Sequence, residues 1–454
     1  MFWLVRRVWR PLSQRFQSVS MSQEFNNQNF PYQTLFIQPP ADTIPELTTE
    51  EIHKTLSIGV VDFREEGMKE TVQRREAMMK LLPTDSDHLP PRKMEDSFVS
   101  AIIPLKTIPK VRNLYVEPDG NLRIGRFLED MDLFSHYCCS RHILNPKSPV
   151  TVGPQSPYAV VTLLVDNIYI TNDKMKNYED VRLSGHVTYA GNTSLEVCMV
   201  IDQKDDEGVY RKCLEAIFLM VARDRMHRGS ARVNPLAAET PEEREFISKG
   251  KARQQNRKEL EDENIFKKPP NETERKIIHD RFIEKRKATK DIYTNSRKMR
   301  NSVLKTVFIC QPQYRNMYNK IFGGYTMRMA YELALANTFI FCKKRPRIVN
   351  IDDIKFLHPV EIGSILRFRS HIGYVKDNFV QSVVYAEIVY PKTGEILKAN
   401  EFHVTFLIQQ EAGEEPVPRL DFETYEEAIH YLNSRRHFKK MMKAFGGCAT
   451  QIGK

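Results

Sequence analysis

The pattern of apolar and polar residues along the first half of the chain predicts one helix followed by long strands. The helical stretch covers Arg126 to His142. Three β-like runs follow it, at Tyr158 to Thr171, Val181 to Ile201 and Lys212 to Asp224. Their length and their content of β-branched and aromatic residues are typical of strands.

The second half of the chain repeats this order of elements. A β-like stretch (Ser302 to Cys310) precedes an apolar helix (Gly323 to Phe341), and four β-like stretches follow, at Arg347 to Phe356, Ser364 to Tyr374, Phe379 to Tyr390 and Glu395 to Leu407. Short strings also recur, since VDNI at 165–168 matches IDDI at 351–354, and GHVTY at 185–189 matches SHIGY at 370–374. We therefore predict an internal duplication.

The helix that begins at Gly323 determines the expected fold. It reads GGYTMRMAYELALANTFIF, apolar on nearly every side, and a helix without a polar face must be surrounded by other elements. A curved antiparallel sheet wrapped around a central helix meets this requirement, and two such units can share one continuous sheet. The prediction is an α+β protein of two tandem hotdog domains, paired as an internal pseudo-dimer.

The predicted segments follow from these patterns and from the charged stretch between the two copies. They are a targeting peptide at 1–20, an extension with a surface helix at 21–90, a first hotdog domain at 91–235, a charged helical linker at 236–300, a second hotdog domain at 301–410 and a tail with a short helix at 411–454.

The first twenty residues predict the location of the protein. They place Arg6, Arg7, Arg10 and Arg15 among aromatic and aliphatic residues, and no acidic residue occurs before Glu24. Such an amphipathic, arginine-rich and acid-free segment is typical of a mitochondrial transit peptide. We expect import into mitochondria, with the matrix as the destination.

Composition narrows the function classes only slightly. The chain has 454 residues, 68 Lys+Arg against 58 Asp+Glu, and a net charge of +10, which suits anionic partners without choosing among them. No apolar run reaches the roughly 20 residues of a membrane span. The seven cysteines are scattered without CxxC pairs, so we expect no metal site and no disulfide framework.

Candidate chemistry lies just before the second apolar helix, in the segment that begins at Arg315. Asn316 precedes the paired Gly323 and Gly324, which permit close backbone approach. The helix start adds unpaired N–H donors that can hold a carbonyl oxygen or an oxyanion. The arrangement suits acyl chemistry.

The matching region of the first copy carries acids instead. Glu129, Asp130 and Asp132 occupy the opening turns of its helix, where the second copy has Met327, Arg328 and Tyr331. Asp132 stands among apolar residues, which favours a buried and functional carboxylate over a simple partner of the helix dipole. Each copy therefore holds groups that the other lacks.

These strings resemble one enzyme family. RNMYNKIFGGYTMRMAYELA is similar to the acyl-coenzyme A (acyl-CoA) thioesterases of the hotdog class. RIGRFLEDMDLF, LSGHVTYAGNTSLEV, FLMVARD and VNPL resemble the mitochondrial members with two hotdog domains. The similarity runs in blocks from about Pro91 to Phe438, and it implies a role in fatty-acid metabolism.

The resemblance implies which residues act. The family's Asn-x-x-Gly-x-x-Phe-Gly-Gly pattern places its catalytic asparagine on Asn316, although Asn319 stands where glycine is common. Tyr331 occupies the family's aspartate position in the second copy, so the acid is expected from the first copy. Depending on how Gly125 is aligned, that acid is Asp132, with Asp130 or Glu129 as alternatives.

The implied mechanism uses one composite site and no cofactor. Asp132 acts as general base on water or as a nucleophile, Asn316 orients water or carbonyl, and the Gly323 and Gly324 amides stabilise the oxyanion. Four cations are expected to meet the CoA phosphates: Arg182, Arg367, Arg369 and Lys376. We further expect a homo-oligomer, no membrane span and no nucleic-acid partner.

Two other functions fit parts of the sequence. A hotdog hydratase acting on enoyl thioesters would need a histidine on the helix, and His136 is the candidate. A non-catalytic module could bind acyl-CoA, or RNA through the basic end of the linker near Lys285-Arg286-Lys287.

Overall fold

The architecture is taken from a computed structural model, which describes residues 47–49, 51, 73–84, 88–151, 155–170, 175–262, 264–287, 295–316, 318, 320–411 and 413–444. Its helices are α1 (Pro109–Tyr115), α2 (Ile124–His142), α3 (Pro241–Asp262), α4 (Glu272–Lys287), α5 (Gly323–Cys342) and α6 (Tyr425–Ala444). A further helical stretch covers residues 73–79. The predicted transit peptide lies outside the described residues.

The strands are β1 (Leu47–Thr48), β2 (Val99–Ile103), β3 (Tyr158–Ile170), β4 (Val181–Ala190), β5 (Ser194–Lys204), β6 (Tyr210–Asp224), β7 (Ser296–Lys298), β8 (Leu304–Ile309), β9 (Pro346–Phe356), β10 (Ile365–Lys376), β11 (Phe379–Val389), β12 (Ile396–Ile408) and β13 (Arg419–Asp421). Eleven of these strands form one sheet in the order β1-β2-β4-β5-β6-β3-β9-β12-β11-β10-β8. Strands β13 and β7 pair separately.

The strand order repeats across the centre of this sheet. β2-β4-β5-β6-β3 on one side corresponds to β8-β10-β11-β12-β9 on the other, and β3 pairs antiparallel with β9 at the junction. Val165 pairs with Ile354 and Ile168 pairs with Ile351, so the repeated tetrapeptides found in the sequence meet each other across a pseudo-two-fold axis. The predicted pair of hotdog units sharing one sheet is confirmed.

The helices α2 and α5 lie against one face of the sheet and against each other. α2 packs on β2 to β6, α5 packs on β8 to β12, and the two helices are in contact. Their side chains join residues of both sheet halves in one continuous hydrophobic core. The interface between the two domains is therefore built like the interior of one domain.

Helices outside the two copies cover the opposite face of the sheet. In β5, Val197 and Met199 belong to the central core, whereas Cys198 and Val200 pack with Phe246 of α3. α6 packs in the same way over the second copy, against β9 to β12. Burial on both faces explains why the strands lack a clear apolar–polar alternation.

Two details differ from the sequence-based expectation. The run Val181 to Ile201 is two strands, β4 and β5, because the chain turns at residues 191–193, where the Gly191 N–H donates to the Ser194 carbonyl oxygen at 2.8 Å. The apolar α5 is covered along most of its length, but Ile340 near its end is 64% exposed. No helix within the described ranges is long and apolar enough to cross a membrane.

Candidate active site

Asp132 lies where three elements meet. It is a fully buried residue of α2. Its Oδ2 accepts a hydrogen bond of 2.7 Å from the Gly324 N–H in the first turn of α5, and its Oδ1 accepts one of 2.6 Å from Thr162 Oγ1 on β3. An acid of the first copy is thus held by the helix start of the second copy.

Glycine allows the two helices to approach this closely. A Cβ on Gly324 would lie 2.7 Å from the Glu129 carbonyl oxygen of α2, a backbone atom that cannot move aside alone. A Cβ on Gly323 would lie 3.0 Å from Asp132 Oδ2. The paired glycines therefore serve the contact between helix and carboxylate.

Burial controls the ionisation of this carboxyl group. Loss of hydration raises the pKa of Asp132, while the nearby His136 and the hydrogen bonds from Thr162 and Gly324 act in the opposite direction. Because a raised pKa increases basicity, the environment suits a carboxylate that accepts a proton.

The loop before α5 packs onto the first copy. Asn316 Oδ1 accepts hydrogen bonds from the backbone N–H of Tyr318 at 2.9 Å and of Lys320 at 3.1 Å, which fixes the orientation of its amide. The Tyr318 hydroxyl oxygen accepts a hydrogen bond of 2.9 Å from the Val160 N–H, two residues before Thr162 on β3. Asn319 lies outside the described residues.

The two alternative acids have other partners. Asp130 is buried, accepts a hydrogen bond of 2.5 Å from the Tyr115 hydroxyl and lies 3.9 Å from Arg126. Glu129 pairs with Arg126 at 2.6 Å and with Arg328 at 3.4 Å. Of the three acids, Asp132 is the one that contacts the Gly324 amide.

Comparison with known proteins identifies the family to which the chain belongs. No family model matches the chain. Mitochondrial acyl-coenzyme A thioesterase 9 of Mus musculus is 38% identical over 380 residues, which cover 82% of this chain and 83% of that protein. Its Homo sapiens counterpart is 35% identical over 376 residues, which cover 82% of this chain and 83% of that protein. The chain belongs to the acyl-coenzyme A thioesterase family.

Family membership confirms the resemblance seen in the motifs and the predicted class of enzyme, a thioester hydrolase. Among solved structures, an acyl-CoA hydrolase from Staphylococcus aureus matches with a TM-score of 0.32 and 20% identity, covering 35% of this chain and 96% of that chain.

The pseudo-two-fold axis of this thioesterase generates a second region with different residues. Glu117 corresponds to Asn316, because the Glu117 N–H donates to the Asn121 carbonyl as the Asn316 N–H donates to that of Lys320. Gly125 corresponds to Gly324, and Tyr331 fills the place of Asp132, 3.3 Å from a Cβ built on Gly125. The asparagine–aspartate combination therefore occurs once in the described fold.

Arg345 occupies this second region. It pairs with Glu117 and lies 2.6 Å from Asp119. Burial raises the pKa of Glu117, and Arg345 opposes that effect. The second region is therefore filled by Tyr331 and by the ion pair between Arg345 and Glu117.

Sequence reasoning missed Thr162 and Tyr318. Thr162 is a small polar residue among the aliphatic residues in the first half of β3, at a register shift in the pairing with β6. A polar residue in such a run is a signal that could have been noticed. Tyr318 carries no comparable signal, because its hydroxyl binds a backbone amide of the other copy.

The four cations predicted for CoA engage carboxylates of the protein. Arg182 forms a bidentate pair with Asp202 (2.9 and 2.6 Å) and lies over the Tyr210 ring. Arg367 pairs with Glu387 at 2.7 Å, and Arg369 lies 3.6 Å from the same carboxylate. Lys376 lies 3.9 Å from Asp377. Their role toward CoA stays a prediction.

The residues named for the other functions also have partners. His136 Nδ1 lies 2.8 Å from the Asp132 carbonyl oxygen, one helical turn away. At the basic end of the linker, Glu423 pairs with Lys285 at 3.4 Å and with Arg300 at 2.7 Å. Among the described residues, no group of His, Cys, Asp and Glu is arranged to hold a metal ion.

Proposed function

We propose that the protein hydrolyses acyl-CoA thioesters in the mitochondrial matrix, at one composite site formed by both hotdog domains. The supporting observation is the 2.7 Å hydrogen bond from the Gly324 N–H of the second domain to buried Asp132 of the first domain. Names of the mitochondrial relatives and the arginine-rich segment at 1–20 support the location.

Asp132 is the general base in this proposal. It removes a proton from water, whose oxygen attacks the thioester carbonyl carbon. The C–S bond then breaks, and the thiolate of CoA leaves and takes up a proton. Burial that raises the pKa of Asp132 supports this role, because the carboxylate is then a stronger base.

Direct attack by Asp132 on the thioester is the alternative. It would give a mixed anhydride that water then cleaves. A single turnover in H2(18O) can identify this route: water that attacks the aspartyl carbonyl of the anhydride leaves the label in Asp132, whereas general-base catalysis labels the fatty acid alone.

Asn316 supplies the principal donor to the developing oxyanion. Because Asn316 Oδ1 accepts two backbone N–H groups, the amide is oriented with Nδ2 as the donor to substrate. The Gly324 N–H binds the carboxylate and so positions the base, which leaves the oxyanion to Nδ2 and the Gly323 N–H. A thiolate is a good leaving group, so we expect no cofactor.

Self-association is a further part of the proposal. Strand β8 is an outer strand of the sheet, and its Val307 and Ile309 are each 57% exposed. The equivalent β2 is paired with β1 instead. Apolar edge strands favour pairing with another chain, so light scattering after size exclusion should show a mass above 53.0 kDa.

Release of free thiol from short, medium and long acyl-CoAs tests the reaction. The matched variants are Asp132→Asn, which keeps the size of the side chain, and Asn316→Asp, which keeps the acceptor for the Tyr318 and Lys320 amides. Both should lose activity by about 100-fold or more while their circular dichroism is unchanged. A wild-type protein that releases no thiol from any chain length would refute the proposal.

A further inference from the structure

A group of basic residues lies near Tyr318, close to the proposed reaction centre. They come from the 73–79 helical stretch, from the end of β6 and the loop after it, and from the loop before α5. They are Arg75, Arg223, Arg225, His227 and Lys320.

Two of these side chains contact the Tyr318 ring. The Arg225 guanidinium lies over the ring at 5.2 Å, and the His227 ring meets it edge-on at 5.8 Å. The hydroxyl of the same tyrosine binds the Val160 N–H, two residues from Thr162, which in turn holds Asp132. The cations are thus connected to the site by a short chain of contacts.

The loop after β6 is held in a strained shape that clusters its cations. Asp224 accepts hydrogen bonds from the backbone N–H groups of Met226 at 2.7 Å, Arg228 at 3.3 Å and Gly229. His227 adopts φ of +56°, a left-handed conformation that is unfavourable for a residue with a side chain. Strain of this kind concentrates at binding sites.

The basic side chains act on one another, although Asp224 opposes their effect on His227 and Lys320 pairs with Glu361. Burial lowers the pKa of His227, and the charges of Lys320, Arg223 and Arg75 lower it further. Burial likewise lowers the pKa of Arg225, and Arg75 adds to the effect. Within the described structure, Arg223 Nε and His227 Nε2 are buried without a hydrogen-bond partner, which an anion at this loop would help to explain.

The pseudo-two-fold related region has the opposite character. Counting along the two matched loops, Asp119 stands in place of Tyr318. At the end of β12, residues 409–411 are Gln, Gln and Glu, whereas the corresponding residues 223–225 at the end of β6 are Arg, Asp and Arg. The cationic group therefore occurs on the side of the fold that carries Asp132 and Asn316. This asymmetry links the cations to the substrate rather than to folding.

We propose that this cluster, here named the Tyr318 cradle (Arg75, Arg223, Arg225, His227 and Lys320), binds a phosphate group of CoA. The inference rests on the proposed function, since it assigns the anionic part of that substrate. Phosphate is a doubly charged acceptor that forms strong charge-assisted hydrogen bonds with guanidinium groups. Within the cradle Lys320 pairs with Glu361, so the guanidinium groups of Arg75, Arg223 and Arg225 are the members that we assign to the phosphate.

Truncated thioesters test the assignment. The variants are Arg75→Gln, Arg223→Gln and their combination, with Lys305→Gln on exposed β8 as a control for net charge. For the best acyl chain, each cradle variant should lower kcat/KM for acyl-CoA about five- to twentyfold through KM. The same acyl-pantetheine, which lacks the nucleotide, should be hydrolysed at unchanged kcat/KM, and Arg223→Lys should recover part of the loss.

Acyl-dephospho-CoA then identifies the phosphate. If the variants affect it as much as acyl-CoA, the cradle binds the diphosphate; if they leave it unchanged, the cradle binds the 3′-phosphate. An equal loss with acyl-pantetheine, or an unchanged KM for acyl-CoA, would overturn the assignment.

If the wild-type protein hydrolyses neither thioester, the proposed function fails, and the cradle is tested by calorimetry with 3′-phosphoadenosine 5′-diphosphate. Binding that Arg223→Gln weakens supports the cradle. Absent or unaltered binding refutes it.

Discussion

The backbone N–H of Gly324 and Oδ2 of Asp132 are joined by a 2.7 Å hydrogen bond across the interface of the two hotdog domains. Each domain supplies one partner, and the pseudo-symmetric position of the aspartate holds Tyr331. The groups that we propose as catalytic therefore come from different copies, and the described fold contains one complete set of them.

Replacing Asp132 by Asn should separate activity from stability. Turnover should fall by about 1,000-fold with the loss of the base. The melting temperature should rise at pH 8, because the pKa of the buried carboxyl is raised above its unfolded value of 3.8, so ionisation above that value destabilises the native state. Calorimetry should show a smaller rise at pH 5, and a lower melting temperature at pH 8 would contradict this account.

Thr162 should control the acid limb of the pH profile. Its hydroxyl donates to Asp132 Oδ1 and lowers the pKa of that carboxyl, so Thr162→Val should move the acid limb of kcat/KM to higher pH. Thr162→Ser keeps the donor and should retain the wild-type limb. A limb that is identical in the valine variant would show that the hydroxyl does not tune the base.

Gly324 and Gly125 form a matched pair for testing the helix contact. Gly324→Ala would place a Cβ 2.7 Å from the Glu129 carbonyl oxygen, so the helices must separate, and we expect a loss of about 2 kcal/mol or more together with most of the activity. Gly125→Ala meets the flexible Arg328 side chain at 3.1 Å and should cost less. Thermal unfolding and thiol release of the two variants test this difference. Equal losses of stability and activity in both variants would contradict the prediction.

His371 should make the protein sensitive to acid. It is buried on β10, where burial and the charges of His430 and Arg369 lower its pKa from 6.5 to about 3. Between about pH 6.5 and about pH 3, His371 is therefore protonated in the unfolded chain but neutral in the native state. The native state loses stability as the pH falls through this window.

His371→Phe should remove this penalty. The ring stacks on Tyr385 at 5.9 Å, and its two nitrogens make no hydrogen bond within the described structure, so phenylalanine fits the same contact. The gain in melting temperature should grow between pH 7 and pH 4.5, with exposed His88→Gln as the control. A gain that does not depend on pH would rule out the titration of His371.

Much of the fold could be predicted because its strongest signals are local. The apolar helix at Gly323 required a surrounding sheet, and the repeated tetrapeptides at 165–168 and 351–354 marked the duplication that now forms the β3–β9 junction. The split of Val181 to Ile201 was missed, because a tight turn at a single glycine barely interrupts the apolar pattern.

The site was harder to predict because it depends on distant contacts. Asp132 stood out by its apolar neighbours, but its bond to Gly324 joins residues 192 positions apart. Arg253 of α3 pairs with buried Glu196 at the outer face, where the sequence indicated a charged helical linker. Glu117, the counterpart of Asn316, could be aligned only through the matching backbone hydrogen bonds of the two loops.

The most direct test of the composite site is a double-mutant cycle on thiol release with Asp132→Asn, Asn316→Asp and the combined variant. If one site uses both residues, each single variant loses about 100-fold or more, and the combination loses little beyond the worse single variant. If instead either single variant keeps about half of the wild-type rate while remaining folded, that residue is not required for the reaction and the composite site of Asp132 and Asn316 is wrong.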